Sequence, residues 1–360
     1  MPETPIVSTL SRLAAETLGR PAADFTAKKL KGDASSRSYY RLAAPGSSLV
    51  AMVLPPDAGK SEEASKPGAA PAELPFLDVH RWLERGGTPV PKILRVALDE
   101  GVLLLEDLGD VTLEAALLQR GEAARERLYG EAIDLLVAMR ARAEARPEAE
   151  LSRESIAFTR AFDFDLLRWE WDHYLEYGLR ARTGRTLSPA EEALLAGAGD
   201  RICRVLADLP RGFTHRDYQS RNLMVTPRGL VVIDFQDALL GPRQYDLVAL
   251  LRDSYVELPE PFVEKMLRRY LDGLARAGAR PEADEPFRRA FDLLTVQRKL
   301  KDGGRFEFID RVKKNPSFLP HVPLSFAYVG RALERLPDER PLLDLLRTIH
   351  PELRCRTPPV

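Results

Sequence analysis

His215-Arg216-Asp217 is followed by Asn222 five residues after the aspartate, and Asp234 closes the next apolar run. These residue types form a compact chemical set. One carboxylate can accept or orient a hydroxyl proton, while an amide oxygen and a second carboxylate can hold a divalent cation. Phosphoryl transfer asks for little more, because catalysis there is mostly positioning and neutralisation of charge spreading over phosphate oxygens. The expected roles are Asp217 as base, and Asn222 and Asp234 as Mg²⁺ ligands with ATP as donor. His215 is expected to fix the loop. A lone His-x-Asp is more often an ordinary polar turn; the Asn offset, an intervening hairpin and an Asp ending an apolar strand make the signal specific.

Beyond Asp234 the chain reads Phe235-Gln236-Asp237-Ala238, then Gly241-Pro242-Arg243-Gln244-Tyr245-Asp246. An aspartate at a helix start can accept backbone N–H bonds and hold a neighbouring loop, and Asp246 suits that scaffold role. Asp237, just past the metal aspartate, is a candidate for acceptor contact. Upstream, Leu103-Leu104-Leu105-Glu106-Asp107-Leu108-Gly109 reads as a hinge whose backbone at Glu106 and Leu108 could meet an adenine. The run Gly32-Asp33-Ala34-Ser35-Ser36-Arg37 lies between two strands. Its small residues would let backbone N–H groups approach phosphates, so Asp33, Ser35, Arg37 and the following Arg41 are candidate nucleotide contacts. It is not a GxGxxG loop, and an ordinary hairpin turn reads the same way.

The elements that must carry these residues divide the chain in two. Strands are predicted at 25–31, 38–42, 48–54, 93–98 and 102–106, with a helix at 77–83 and Asp99-Glu100-Gly101 as a hairpin turn. The Pro/Ala-rich stretch 55–75 reads as a loop. From 112 onward amphipathic helices dominate, at 113–119, 123–143, 164–179 and 191–206, interrupted by a hairpin of 222–225 and 230–235 about Thr226-Pro227-Arg228-Gly229. The fold class is therefore α+β and bilobal: an antiparallel sheet lobe over 1–108 for the nucleotide and a larger, mostly helical lobe over 109–360 for catalysis and acceptor.

A length of 360 residues supports two lobes better than one core. With 53 basic and 54 acidic residues the net charge is −1, which gives no electrostatic reason for a nucleic-acid or membrane partner. A small molecule is the expected partner, with the protein a monomer or weak dimer. The two cysteines, Cys203 and Cys355, lack metal or disulfide spacing, and the amino-terminal stretch shows no basic start followed by an apolar run, so a cytoplasmic location is expected.

Taken together, Gly32-Asp33-Ala34-Ser35 leading to Tyr39-Tyr40-Arg41, the 103–109 hinge and His215-Arg216-Asp217-Tyr218…Arg221-Asn222-Leu223-Met224 resemble the aminoglycoside-phosphotransferase/choline-kinase-like superfamily. The Asp234-Phe235-Gln236-Asp237-Ala238…Gly241-Pro242…Tyr245-Asp246 segment belongs to the same resemblance. That form and the helical Val296-Gln297-Arg298…Leu300-Lys301 are most similar to the anomeric sugar kinases acting on N-acetylmuramate and N-acetylglucosamine in bacterial cell-wall recycling. The resemblance implies transfer of the ATP γ-phosphate to an anomeric hydroxyl, giving a sugar 1-phosphate that a uridylyltransferase could use. It also implies an acceptor pocket for an amino sugar, for which Asp237, Arg252, Gln297 and Arg298 are candidates, with Trp169 and Trp171 as stacking surfaces or core residues. One departure stands out. Many superfamily members carry a strand lysine for the ATP phosphates, whereas 49–54 here reads Leu-Val-Ala-Met-Val-Leu. Arg37, Arg41 or Lys60 could replace it, and Glu73 is a candidate for the usual helix glutamate. Other acceptors of the same fold (aminoglycoside, choline, homoserine, another sugar) and a non-catalytic nucleotide binder remain alternatives.

Overall fold

The computed structural model describes residues 5–30, 37–55, 73–119 and 121–354. Asp33, Ser35 and Lys60 lie outside the described residues. Helix α1 (Pro5–Leu18) precedes strands β1 (Thr26–Lys29), β2 (Ser38–Ala44) and β3 (Ser47–Val53), then helix α2 (Pro75–Arg85) and strands β4 (Ile93–Ala97) and β5 (Val102–Glu106). The five strands pair antiparallel in the order β1-β2-β3-β5-β4. The turn into β5 ends on Gly101 at φ +66°, a conformation that glycine adopts without a Cβ penalty.

Side-chain alternation along β3 and β5 splits the core of this lobe in two. Leu49, Ala51, Val102 and Leu104 face Leu10, Leu13 and Ala14 of α1. Met52, Leu103 and Leu105 belong instead to the large core shared with α2 and the helical lobe. Helix α2 is therefore a bridge. Phe76 stacks on Phe235 at 5.0 Å between ring centroids, Trp82 stacks on Phe213 at 4.7 Å, and Asp78 Oδ1 accepts from Ser155 Oγ (2.6 Å) and the Ile156 N–H (2.8 Å).

The second lobe contains α3 (Leu113–Gln119), α4 (Glu122–Glu144), α5 (Glu148–Leu151), α6 (Phe164–His173), α7 (Pro189–Ala207), α8 (Gln244–Leu251), α9 (Glu260–Arg276), α10 (Asp284–Lys313), α11 (Val322–Glu334) and α12 (Arg340–Ile349). The small sheet lobe and mostly helical larger lobe agree with the expected class. Helix α7 starts on a capping box, in which Ser188 and Glu191 exchange side-chain-to-backbone bonds. The predicted 164–179 helix is α-helical only to His173 and continues as a π-helix over Tyr174–Ala181. This widened turn brings Gly178 against Gly304 of α10, where a Cβ on Gly304 would sit 2.8 Å from the Tyr174 Cα. Helix α10, buried along most of its length, is the axle of the lobe.

Besides the expected hairpin, seen as β7 (Leu223–Thr226) with β8 (Gly229–Val232), a two-stranded antiparallel pair joins β6 (Arg211–Thr214) to β9 (Leu239–Pro242). The catalytic-type residues sit between these two pairs.

Candidate active site

His215-Arg216-Asp217 leaves the end of β6, Asn222 immediately precedes β7, and Asp234 follows β8. Two bonds draw these ends together. The Ile233 N–H donates to the Asn222 carbonyl at 3.0 Å, and His215 Nε2 lies 3.0 Å from the Ile233 carbonyl. With His215 Nδ1 accepting from the Asp217 N–H at 3.3 Å, the neutral Nε2–H tautomer satisfies both ring nitrogens. Complete burial depresses the His215 pKa and favours that neutral form.

The loop carries its conformation under load. Arg216 has φ +81° and Asp234 has φ +62°, left-handed values that non-glycine residues adopt only when their surroundings hold them. Asp246, in the first turn of α8, accepts from the backbone N–H groups of His215 (2.7 Å) and Arg216 (3.0 Å). On the other side Arg298 of α10 donates from Nη1 to the Arg216 carbonyl at 2.7 Å and from Nη2 to Asp217 Oδ1 at 3.2 Å. Arg216 is thereby gripped through both its N–H and its C=O. Farther along, Asp253 accepts from the N–H groups of Ser220 (2.8 Å) and Tyr255 (3.0 Å), fixing the segment before Asn222.

These residues open on a cleft of about 690 Å³ between the lobes. Asp217, Asn222, Asp234, Asp237, Arg37 and Arg298 all line it. Asn222 Nδ2 donates to the Asp217 carbonyl at 2.8 Å, which directs its Oδ1, the metal-binding atom of an amide, away from that bond. Burial raises the Asp217 carboxyl pKa, but Lys301, Arg298 and Arg216 outweigh it and hold the group well below the ordinary carboxylate range. Asp234 behaves oppositely. About two-fifths of its side-chain surface opens to the cleft, yet desolvation by the surrounding walls and repulsion from Asp217 and Asp237 overcome the Gln236 hydrogen bond and the nearby Arg37. Its pKa is pushed up to about 6. A carboxylate short of positive charge, beside an amide oxygen, is a donor set that fits a hard divalent cation.

The hinge forms another wall of the cleft. Glu106 and Leu108 line the cleft; the Glu106 carboxylate accepts from the Lys92 N–H at 3.1 Å and from Arg228 at 2.7 Å, and the Glu106 N–H donates to the Lys92 carbonyl at 2.9 Å. Arg41 lines the cleft too, but its guanidinium is bonded to Asp107 at 2.8 Å and to Asp110 at 2.9 Å. Arg37 instead approaches Asp234, with 3.8 Å between Nη1 and Oδ1. The β3 strand offers Val50 to the cleft. Glu73 precedes α2 and pairs with Arg81, so it does not occupy a helix position facing β3.

Four of the acceptor candidates lie elsewhere. Gln297 is fully buried and donates to Glu170 Oε2 at 2.9 Å and the Leu167 carbonyl at 3.3 Å, tying α10 to α6 away from the cleft. Arg252 makes a bidentate pair with Glu260, both bonds at 2.7 Å. Trp171 is buried in the core, and Trp169 stacks on His173 at 5.5 Å. In their place the cleft is lined by Tyr255, Lys301, Asp302, Arg305, Phe306 and Phe318, which sequence reasoning missed. The available signal was the spacing of Arg298, Lys301 and Arg305, three and four residues apart and so on one face of an otherwise buried helix.

Residues 26–283 match the phosphotransferase enzyme family, and the chain belongs to that family. It is a kinase-type phosphotransferase. A Neisseria meningitidis serogroup B protein named N-acetylmuramate/N-acetylglucosamine kinase is 34% identical over 329 residues, 91% of each chain. A Pseudomonas aeruginosa protein of the same name is 35% identical over 318 residues, covering 88% of this chain and 86% of that protein. Among solved structures, choline kinase from Cryptosporidium parvum Iowa II superposes with a TM-score of 0.57 at 12% identity, covering 94% of this chain and 99% of that one. That likeness concerns the fold.

Proposed function

We propose that this chain is an ATP- and Mg²⁺-dependent amino-sugar kinase that phosphorylates the anomeric hydroxyl of N-acetylmuramate and N-acetylglucosamine, as a step of peptidoglycan recycling. The observation that carries the reading is identity of about a third along nearly the whole chain with two kinases of that name. The geometry of the cleft is consistent with it.

In this reading Asp217 receives the acceptor hydroxyl. The acceptor oxygen forms a bond to the γ-phosphorus as the bond from that phosphorus to the β,γ-bridging oxygen breaks; ADP leaves and the hydroxyl proton passes to Asp217. A carboxylate held so firmly in its ionised form is a weak base. Its main service is to orient the hydroxyl and take the proton late, as suits a loose phosphoryl-transfer transition state. Asn222 Oδ1 and the Asp234 carboxylate would hold Mg²⁺, which when bound neutralises charge on the phosphate oxygens. Arg37, adjoining Asp234 and lining the cleft, is the cation that takes the part of the absent strand lysine. Arg41, engaged by two aspartates, organises the hinge instead.

The test is a panel of N-acetylmuramate, N-acetylglucosamine, choline, homoserine and an aminoglycoside with ATP and Mg²⁺, read by ADP release and by phosphorus NMR of the product. Anomeric phosphate from either amino sugar is the expected result. Turnover confined to an amine-bearing acceptor would overturn the proposal.

A further inference from the structure

Helix α10 presents Arg298, Lys301 and Arg305 along the cleft, and the three follow one another at helical spacings of three and four. Arg298 already grips Asp217, so the helix measures distance from the reacting hydroxyl. At 1.5 Å per residue, Lys301 lies about 4.5 Å and Arg305 about 10.5 Å farther along the axis. The Arg305 guanidinium lies 4.9 Å from the centroid of the Phe308 ring, at the end of this row far from Asp217. A charged group on the acceptor some two or three bonds beyond the sugar ring falls within that span.

The rest of this end of the cleft is aromatic. Phe306 stacks on Phe318 at 5.5 Å between centroids, with planes 21° apart, and Tyr255 packs on Phe306 at 6.3 Å. Such a surface suits the apolar face of a sugar ring. Asp302 also lines the cleft, but its carboxylate is bonded to Lys299 at 2.7 Å and lies 3.7 Å from Lys301, and Asp237 accepts from Gln236 at 3.2 Å. The net character along α10 is cationic, which opposes quaternary or polyamine acceptors and favours an acid.

We propose that Arg305, with Lys301, is the acceptor-specificity element of this enzyme and reads a carboxylate attached to the sugar, placing a carboxylate-bearing amino sugar ahead of its neutral counterpart. The inference rests on the amino-sugar kinase reading above. N-acetylmuramate carries such a carboxylate on its lactyl ether and N-acetylglucosamine does not, so the two form a matched pair of probes.

The experiment compares kcat/KM for the two sugars in the wild-type protein and in Arg305→Ala, Arg305→Lys and Arg311→Ala, each checked for an unchanged melting temperature. Arg311 lies beyond the cleft on the same helix, bonded to Glu307 at 3.3 Å, and controls for loss of a nearby positive charge. The ratio of N-acetylmuramate to N-acetylglucosamine efficiency should fall by roughly 10- to 100-fold in Arg305→Ala, the effect of losing a charge-assisted hydrogen bond. Arg305→Lys should retain part of it, and Arg311→Ala should leave the ratio as in wild type. An equal fall for both sugars, or no change in the ratio, refutes the inference while leaving the kinase reading intact. Failure of the wild-type protein to phosphorylate either sugar refutes both.

Discussion

Arg298 offers the sharpest way to probe the catalytic loop, because it acts on Asp217 through one arm of a single guanidinium and on the Arg216 carbonyl through the other. Replacing it with glutamine removes the charge and the fork; replacing it with lysine keeps the charge but cannot span both acceptors. Each lost bond involves a charged donor, for which about 1.5–3 kcal/mol is typical. The Arg216 peptide, held at φ +81°, then loses the bond to its carbonyl while its N–H stays bonded to Asp246. Since a positioned proton acceptor contributes about 10²–10⁴ to phosphoryl-transfer-type rates, loss of alignment should lower kcat by on the order of 10² in both variants. The KM for ATP should move little, as Arg298 contacts Asp217 and its loop rather than the hinge.

The pH profile separates the two effects. In the wild-type protein Asp217 lies well below the ordinary carboxylate range, so no loss of activity from its protonation is expected across the range in which the protein is folded. Arg298→Gln removes one of the charges responsible, and the acidic limb of log kcat against pH should move upward. Arg298→Lys retains that charge, and its limb should stay near the wild-type position despite the lower plateau. Steady-state kinetics between pH 5 and 8, with melting curves at each pH, check this. A kcat within about threefold of wild type in the glutamine variant, with the fold intact, would refute the positioning argument.

Two predictions concern stability. Gly304→Ala should destabilise by about 1–3 kcal/mol, since its Cβ would meet the Tyr174 backbone at 2.8 Å where neither helix can yield, measured as a lower urea midpoint with unchanged slope. His350, packed on Phe326 at 4.3 Å and bonded to the Tyr174 hydroxyl at 2.9 Å, has its pKa lowered by burial from 6.5 to about 4. Between those values the unfolded chain binds a proton that the native protein does not, so the contribution is complete above pH 6.5 and is lost as pH falls toward 4. The gap corresponds to ~3 kcal/mol, and unfolding measured at pH 7 and pH 4.5 should show a shallower acid loss in His350→Phe than in wild type.

Strand and helix positions were legible where apolar periodicity and turn residues agreed: β5 and α3 occur where the pattern puts them, and the β7–β8 hairpin turns on the expected Thr226–Gly229 segment. The β6–β9 pair was not legible. Arg211–Thr214 is four residues with an internal glycine, and its partners lie 25 to 31 residues away, so neither local alternation nor a turn announces the pairing. The π-helix was hidden for a related reason: an apolar stripe continues through Tyr174–Ala181 whether the turn closes at four residues or five, and only the approach of Gly178 to Gly304 distinguishes them.

The acceptor end shows where one-dimensional reasoning stops and where it could have gone farther. Gln297 and Arg298 are neighbours in sequence, yet consecutive helical residues are about 100° apart, and here the two part: Arg298 faces the cleft and Gln297 bonds to α6. Choosing Arg298 would have carried Lys301 and Arg305 with it by spacing alone. Tyr255 and Phe318 could not be reached that way, because they come from the segments after α8 and α10 and meet Phe306 only through the packing of three separate elements. A catalytic loop is written contiguously, since its strain and its hydrogen bonds are local; an acceptor pocket is assembled from distant segments, and its chemistry becomes visible only when the helix that ties it to the loop is placed.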